Sequence, residues 1–178
     1  MNNDTQFLGF TTLSTAIRGT IVTEDGSRIP TNATALPQYR VYGPAGTLMT
    51  NGTGALSFKD TATNITGATN ANPIVITTSA AHGLATGNRV TITGVVGNTA
   101  ANTTANITVL TSTTYSLDSV AGNGAYTSGG TWNLSGVYDL SITPTAGNGY
   151  AVGSFYQVLI TYVVSSVTKT ATCVFGVV

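Results

Sequence analysis

Residues 65–104 read ITGATNANPIVITTSAAHGLATGNRVTITGVVGNTAANTT, and this stretch indicates the fold class. Apolar residues alternate with polar ones over short runs, and glycine and asparagine separate the runs, as in strands joined by tight turns. The stretch holds one basic side chain, Arg89, no acidic one, and the only histidine of the chain, His82. The pattern predicts an almost uncharged β unit whose polar surface is made of Thr, Asn and Ser.

The same signals continue on both sides of this stretch. Thr, Val, Ile and Tyr are abundant, Gly and Asn clusters recur about every ten residues, and helical periodicity is almost absent. The chain is therefore predicted to be all-β. The predicted strands cover 16–23, 38–42, 55–59, 73–77, 89–93, 105–110, 114–117, 136–143, 155–164 and 168–177.

Charge and targeting signals narrow the function classes. Charged residues make up 7% of the 178 residues, and the six basic and six acidic side chains cancel. This balance offers no electrostatic attraction for nucleic acid or anionic lipid, so neither is expected as a partner. No run is apolar enough to span a membrane, and residues 1–4 do not start like a secretory signal. The single cysteine, Cys173, excludes an internal disulfide and is expected to be buried.

Composition changes near residues 62 and 132, and these changes predict the domain organisation. Tyr-, Phe- and Pro-bearing strands lie outside the two points, and a Thr-, Asn- and Gly-rich segment lies between them. We predict one discontinuous domain, residues 1–61 and 133–178, that begins with an N-terminal arm of about residues 1–13. Residues 62–132 are predicted to form an inserted module, because exposed loops tolerate insertions best.

The central segment resembles a known family. The residues that carry the resemblance are ITGATNANPIVITTSAAHGLATGNRVTITGV (65–95), GNTAANTTANITVLTSTTYSLD (97–118) and GNGAYTSGGTW (122–132). They are similar to the small β modules named after the first catalytic cysteine half-domain (FCCH) of ubiquitin-activating enzymes, which recur in bacteriophage virion proteins. The resemblance implies structural roles, with His82-Gly83-Leu84 as a turn. It does not imply ubiquitin activation, since that chemistry needs an acceptor cysteine, and Cys173 lies outside the segment.

The flanking segments resemble immunoglobulin-like β domains of phage tails, baseplates and heads. The carrying residues are PTNATALPQYRVYGPAGTLM (30–49) and SGVYDLSITPTAGNGYAVGSFYQVLITYVVSSVTKTATCVFGVV (135–178). The two resemblances imply an immunoglobulin-like β-sandwich with an inserted small β-barrel-like module. They also imply a non-enzymatic virion component, a head decoration, fibre or tail-associated protein. It would be made in the host cytoplasm, dock on major capsid or tail proteins at the particle exterior, and display its module.

Two apolar segments are candidates for assembly contacts. Strand 155–164 is apolar on both faces, and one sandwich core covers only one face, which predicts a homo-oligomer or a lattice-bound subunit. Residues 1–13 are apolar without a clean period, which predicts an arm that orders against a neighbouring subunit. The alternative is that these side chains pack on the sandwich of the same chain. The docking candidates are Phe7, Leu8, Phe10, Leu13, Val158, Leu159, Ile160 and Val163.

Two other function classes stay open on the sequence. A receptor- or carbohydrate-binding module would use Tyr126 and Trp132 as its ligand candidates. A small hydrolase would need two scattered carboxylates to meet by folding. The acidic residues are Asp4, Glu24, Asp25, Asp60, Asp118 and Asp139. His82 is interpreted as a turn residue that caps backbone groups, Glu24-Asp25-Gly26 as a hairpin turn, and no catalytic residue, cofactor or metal is expected.

Overall fold

The computed structural model describes residues 6–24, 29–59 and 64–178. Besides strands, it contains two short 3-10 helices, Thr99–Ala101 and Ala146–Asn148. The chain divides into two compact units, Met1–Ser57 with Gly136–Val178, and Phe58–Ser135. The fold is all-β, a β-sandwich with an inserted barrel-like module. The predicted boundaries at 62 and 132 lie a few residues inside the second unit, and the predicted turn at Glu24-Asp25-Gly26 falls largely outside the described residues.

The strands are numbered in chain order. They are β1 Gln6–Thr11, β2 Ile17–Val22, β3 Gln38–Tyr42, β4 Leu48–Ala55, β5 Ser57–Phe58, β6 Ile65–Ala68, β7 Ile74–Thr78, β8 Arg89–Thr93, β9 Thr104–Val109, β10 Thr114–Leu117, β11 Thr131–Leu134, β12 Val137–Ile142, β13 Phe155–Val164 and β14 Val167–Val177.

The first unit contains a five-stranded sheet, in the order β1-β14-β13-β3-β4, and a three-stranded sheet, in the order β2-β12-β5. Alternation along the strands sets which side chains are buried, because successive residues of a strand point to opposite faces. On β12 the buried residues are Tyr138, Leu140 and Ile142, and on β13 they include Val158 and Ile160. These alternate positions form the core of the unit.

The N-terminal segment differs from its prediction. Instead of an arm awaiting a neighbouring subunit, Gln6–Thr11 forms β1, which pairs in parallel with β14 of the same chain. The register shifts between Phe7 and Gly9, and Gly9 has a φ of +114°. Such a bulge adds one residue to the strand. It breaks the period of two, and this is why the segment shows no clean alternation in the sequence.

Besides β1, three strands of the described chain were not predicted, namely β4, β6 and β11. β4 has the sequence LMTNGTGA, and β6 has ITGA, so both are rich in glycine and threonine and poor in β-branched apolar residues. Their positions depend on their partners, since β4 pairs with β3 and β6 pairs with β7. The predicted strand 55–59 is the two-residue strand β5.

The second unit is a barrel-like β module. Its six strands have the order β11-β8-β9-β10-β7-β6. The two edge strands meet, because Asn64 bridges Thr131 and the Ile65 N–H donates to the Gly130 carbonyl at 2.9 Å. This contact covers one end of each edge strand, and open sheet edges would otherwise invite pairing with other chains. The interior is filled by buried apolar side chains, among them Ile74, Ile76, Ile92, Ile107, Tyr115, Leu117 and Trp132.

Asparagine side chains hold the loops of this module. Asn98 is fully buried, donates from Nδ2 to the Thr69 carbonyl at 2.9 Å, and accepts the Asn123 N–H at Oδ1 at 3.1 Å. Asn102 makes two bonds of 2.8 Å to the backbone of Val95, one to the N–H and one to the carbonyl. An amide can satisfy both a donor and an acceptor. The Asn-rich composition thus supplies loop anchors that need no charge.

Replacing Asn98 with alanine is expected to destabilise the module by about 2 kcal/mol. The change removes two hydrogen bonds of a fully buried amide, each worth about 1 kcal/mol, whereas the Thr69 carbonyl and the Asn123 N–H belong to exposed residues that can bind water instead. Urea unfolding measures the difference in free energy. Asn106, which is exposed on β9, is the control, and Asn106→Ala should change the free energy of unfolding by less than about 0.5 kcal/mol. Equal effects of the two variants would contradict the role of Asn98.

Removing the hydroxyl of Tyr115 is expected to stabilise the module, in contrast to the loss of the Asn98 side chain. Its ring is fully buried, and its hydroxyl has no hydrogen-bond partner among the described residues. Burial raises the pKa of this hydroxyl. Tyr115→Phe removes a desolvated polar group and is expected to raise the free energy of unfolding of the module by about 1 kcal/mol. Tyr126→Phe is the matched control, because the Tyr126 hydroxyl lies 2.9 Å from the Ile65 carbonyl, and its loss should cost about 1 kcal/mol. Thermal unfolding curves that shift in the same direction would contradict this assignment.

Candidate functional site

One face of strand β13 is buried in the first unit and the other is accessible. Val158 and Ile160 are fully buried, so their prediction as docking residues is wrong. The second sheet of the same unit covers that side of the strand. The alternate residues differ: Phe155 is 54% exposed, Gln157 is exposed and Leu159 is half-buried.

The accessible side of the five-stranded sheet is called the docking face below. Its residues are Phe7 and Phe10 of β1, Arg40 and Tyr42 of β3, Phe155, Gln157, Leu159 and Val163 of β13, and Thr172 and Val174 of β14. The strand register places these residues on the same face of the sheet, since Gln157 lies opposite both Tyr42 and Val174. Paired residues on neighbouring strands point to the same face of a sheet.

Three phenylalanine rings form a cluster at one side of the docking face. Phe7, Phe10 and Phe155 are 53%, 57% and 54% exposed. The centroids of Phe7 and Phe10 are 5.2 Å apart, and those of Phe10 and Phe155 are 5.9 Å apart, in edge-to-face geometry. Aromatic pairs prefer this arrangement. The cluster is an exposed apolar patch, and such patches mark interaction sites.

The bulge in β1 explains how the cluster forms. Residues three apart on a regular strand point to opposite faces, yet Phe7 and Phe10 both lie on the docking face. The register shift between Phe7 and Gly9 places Phe7 and Phe10 on the same face of the sheet. Leu8 points to the opposite face, where its side chain lies against Gly19. Of the predicted arm residues, Phe7 and Phe10 are therefore exposed, while Leu8 and Leu13 are half-buried.

A glycine makes room for the cluster. A β-carbon on Gly176 would lie 2.6 Å from Phe10 Cδ1 and 3.2 Å from Phe155 Cε1, so both rings lie over the bare backbone of β14. This packing was not predictable from the sequence, because glycine in a strand usually indicates only a bulge or a weak strand. The absence of a side chain at Gly176 lets both rings pack directly on the backbone of β14.

Two depressions lie beside the cluster and along the docking face. One, of about 430 Å³, is lined by Tyr42, Pro44, Phe155, Gln157 and Val174 among others. The second, of about 750 Å³, is lined by residues of β3, β4 and β13 and of the segment before β3, and these include Leu36, Arg40, Thr161 and Val163. The face thus combines exposed rings with open depressions large enough to admit side chains.

The docking face is nearly free of charge. Among the described residues of its five strands, the charged side chains are Arg40 and Lys169. Lys169 Nζ donates to the Glu24 carbonyl at 2.6 Å. Arg40 is therefore the cation on the accessible side. A partner would be recognised by shape and apolar contact more than by charge.

The ligand candidates of the module are part of its structure. Trp132 is 3% exposed and meets the Tyr115 ring edge to face at 6.4 Å. Tyr126 is half-buried and packs on the module core, and its hydroxyl lies within hydrogen-bonding distance of the carbonyls of Ile65 and Gly129. A sugar platform needs an exposed aromatic face, so the prediction of Trp132 as a ligand residue is wrong.

In the described part of the chain, His82, Asp118 and Asp139 each form hydrogen bonds with backbone or threonine groups. His82 is 6% exposed, accepts the Leu84 N–H at Nδ1 at 3.0 Å, and its Nε2 lies 3.1 Å from the Thr111 carbonyl. Both ring nitrogens thus bind backbone, as predicted for a turn residue. Asp118 and Asp139 accept hydrogen bonds from Thr108 and Thr20. Asp4, Asp25 and Asp60 lie outside the described residues, and the others include no cluster of three metal-ligating side chains.

No described helix is long and apolar enough to cross a membrane.

Cys173 is protected by burial. It is 1% exposed, and desolvation raises the pKa of its thiol to about 11. Because the folded state favours the neutral thiol, the stability linked to this group is full below the unfolded pKa, about 8.5, and is lost as the pH rises through about 11. The thiolate is the reactive form. We expect Cys173 to react with a chromogenic disulfide reagent at pH 8 only as fast as the sandwich unfolds. Rapid labelling of native protein would contradict its burial.

Comparison with known proteins identifies part of the chain. The family model of the ubiquitin-activating enzyme E1 FCCH domain matches residues 70–134, which lie within the second unit, Phe58–Ser135. No curated protein matches the chain. The matched segment contains no cysteine, since Cys173 belongs to the first unit. The inserted module is therefore FCCH-like.

Proposed function

We propose that this chain is a non-enzymatic structural component of a phage virion, a head decoration, fibre or tail-associated protein that docks on the particle and displays its FCCH-like module. Its partners are other virion proteins, the major capsid or tail proteins, and further copies of itself. It acts at the exterior of the particle and is made in the cytoplasm of the bacterial host.

The observation that carries this proposal is the exposed phenylalanine cluster on the docking face. Phe10 packs against both Phe7 and Phe155, yet all three side chains stay more than half exposed, and large exposed apolar patches are a liability unless a partner covers them. The rings lie on a sheet whose other side is already buried in its own core. A docking surface accounts for both features.

Strand topology supports an immunoglobulin-like assignment of the first unit. In immunoglobulin terms, the order β1-β14-β13-β3-β4 corresponds to strands A′-G-F-C-C′, and β2-β12-β5 corresponds to B-E-D. The Tyr156 hydroxyl, near the start of β13, accepts the Ala151 N–H at 2.7 Å. A tyrosine at the start of strand F that bonds to backbone just upstream is typical of this fold. The module then occupies the D–E connection.

A low surface charge fits a permanent place in an assembly. With 7% charged residues and a net charge of zero, the chain has little repulsion to keep copies apart. The edge strands β6 and β11 of the barrel-like module meet at the bridge between Asn64 and Thr131. A barrel-like unit with few charged residues, inserted in a loop, is suited to display on a particle.

Attachment to particles tests the proposal. Virions are grown from a host in which the gene is deleted and wild-type or variant protein is supplied from a plasmid, and the chain is quantified in purified particles by mass spectrometry. We expect wild-type protein to co-purify in fixed stoichiometry and Phe155→Lys to lose attachment. Val22→Lys is the control, because Val22 is 47% exposed on β2 of the other sheet. Absence of wild-type protein from particles would refute the function, and equal attachment of both variants would refute the docking face.

A further inference from the structure

The docking face carries both a protrusion and a recess. The protrusion is the cluster of Phe7, Phe10 and Phe155. The recess is the depression of about 430 Å³, which lies directly beside the cluster because Phe155 belongs to both. A two-fold interface uses the same patch on both copies, so a knob of one copy enters a hole of the other and the reverse. A surface with an adjacent knob and hole has this self-complementary form.

The charge of the face favours an occupant of the same composition. No acidic side chain occurs in the described residues of the five strands, and Arg40 is the cation on the accessible side. A partner with an ordinary charged surface would desolvate its charges against a face that offers almost no counter-charge, which is costly. A second copy avoids this penalty, since its own docking face is equally uncharged.

We propose that the docking face binds a second copy of this chain in a two-fold dimer, with Phe7 and Phe10 of each copy in the recess of the other. This inference rests on the proposed function, which makes the face an assembly contact. An axis near β1 and β14 keeps the two Arg40 side chains apart, because β13 separates β14 from β3 in the sheet. Both surfaces are made of paired strands, so little backbone is ordered on binding.

Sedimentation velocity of the full chain from about 1 μM to about 1 mM tests the dimer. We expect a monomer–dimer equilibrium with a dissociation constant in the micromolar range, as for small interfaces without charge pairs. Phe10→Ser removes a knob, and Gln157→Arg blocks the recess. Each is expected to raise the dissociation constant at least about tenfold. Val22→Lys and Leu110→Lys, at exposed sites on β2 and in the module, should leave it unchanged. Circular dichroism checks that all variants fold.

A mixing experiment tests the reciprocal geometry. Phe10→Ser keeps its recess and Gln157→Arg keeps its knob, so an equimolar mixture retains one of the two knob-and-recess contacts. We expect heterodimers in the mixture at concentrations where each variant alone is monomeric. A mixture that stays monomeric while both variants are folded would overturn the reciprocal arrangement.

Two results separate this inference from the proposed function. A wild-type chain that is monomeric at about 1 mM, yet loses particle attachment on Phe155→Lys, would overturn the dimer and leave the docking function in place. A wild-type dimer broken by Phe10→Ser, with no chain found in virions, would support the dimer and overturn the virion function. Equal weakening by Phe10→Ser and by Val22→Lys would also overturn the dimer at this face.

Discussion

Replacing Gly97 with alanine is expected to abolish the folded state of the module. Gly97 has a φ of +89°, and a β-carbon there would overlap the carbonyl oxygen of Ala125 and lie 2.9 Å from the Thr127 nitrogen. The obstructing atoms are backbone, so no side-chain rotation relieves the clash. Strain of this kind and overpacking together are expected to cost more than about 4 kcal/mol. In urea, the transition of the module should shift to far lower denaturant, while that of the sandwich should remain.

Gly87 separates the clash from the backbone conformation. Its φ is +90°, almost equal to that of Gly97, but no heavy atom lies within 4 Å of the position its β-carbon would take. Gly87→Ala therefore carries only the strain of a left-handed residue, about 1–2 kcal/mol. Similar unfolding midpoints for the two variants would show that the close approach of the 97 and 125 loops is not essential.

The second large effect is expected at Val158. The side chain is fully buried, and Val158→Lys would place an unpaired ammonium in the sandwich core. Such a charge costs several kcal/mol even after the pKa of the lysine falls, so we expect loss of the cooperative transition of the sandwich. Far-UV circular dichroism and thermal unfolding measure this loss.

Leu159 is the matched control, one residue along the same strand. It lies on the docking face and is half-buried. Leu159→Lys lets the long side chain extend into solvent, and we expect a change in the free energy of unfolding of no more than about 1 kcal/mol. If the two lysine variants unfold at the same temperature, the assignment of the two strand faces is incorrect.

Strands with clear alternation were predictable from the sequence. The bounds of β3, β8, β10 and β13 agree with those expected from alternation and turn residues. The bounds of β2, β7, β9, β12 and β14 differ by one or two residues. In these segments the local pattern and the tertiary environment favour the same structure, which is why periodicity was sufficient.

The remaining strands depend on partners that a single sequence does not reveal. β4 and β6 are weak strand formers that are held by neighbouring strands, and sheet context outweighs intrinsic preference in such cases. In β1, one extra residue at the bulge hid the alternation that places Phe7 and Phe10 together.

The sequence predicted that strand β13 has an accessible apolar face, but not which of its residues form that face. A strand apolar on both faces indicated that one side needs a partner, but the sequence could not say which side the sandwich covers. Val158 and Ile160 were therefore named together with Leu159 and Val163, although only the latter two lie on the accessible side. Phe155 was not named as a docking residue because it is the first residue of β13. Its contact with Phe10 depends on strand pairing between distant parts of the chain.

In the module, uncharged polar residues have specific structural roles that the sequence alone did not reveal. In a Thr- and Asn-rich segment, the asparagines give no sequence signal of a specific contact. In the structure, Asn98, Asn102 and Asn123 bind backbone groups of other loops. Trp132 resembled a ligand platform because it lies near a domain boundary, and its burial follows from strand β11 pairing with β8. Neither contact is visible in local sequence.

Electron cryomicroscopy of the virions produced from the genome that encodes this chain is the decisive experiment for the proposed virion function. We expect density for the chain on the particle exterior, with Phe7, Phe10 and Phe155 covered at a protein interface and residues 70–134 exposed to solvent. Particles without this chain, or particles in which the phenylalanine cluster faces solvent while residues 70–134 are buried between subunits, would contradict it.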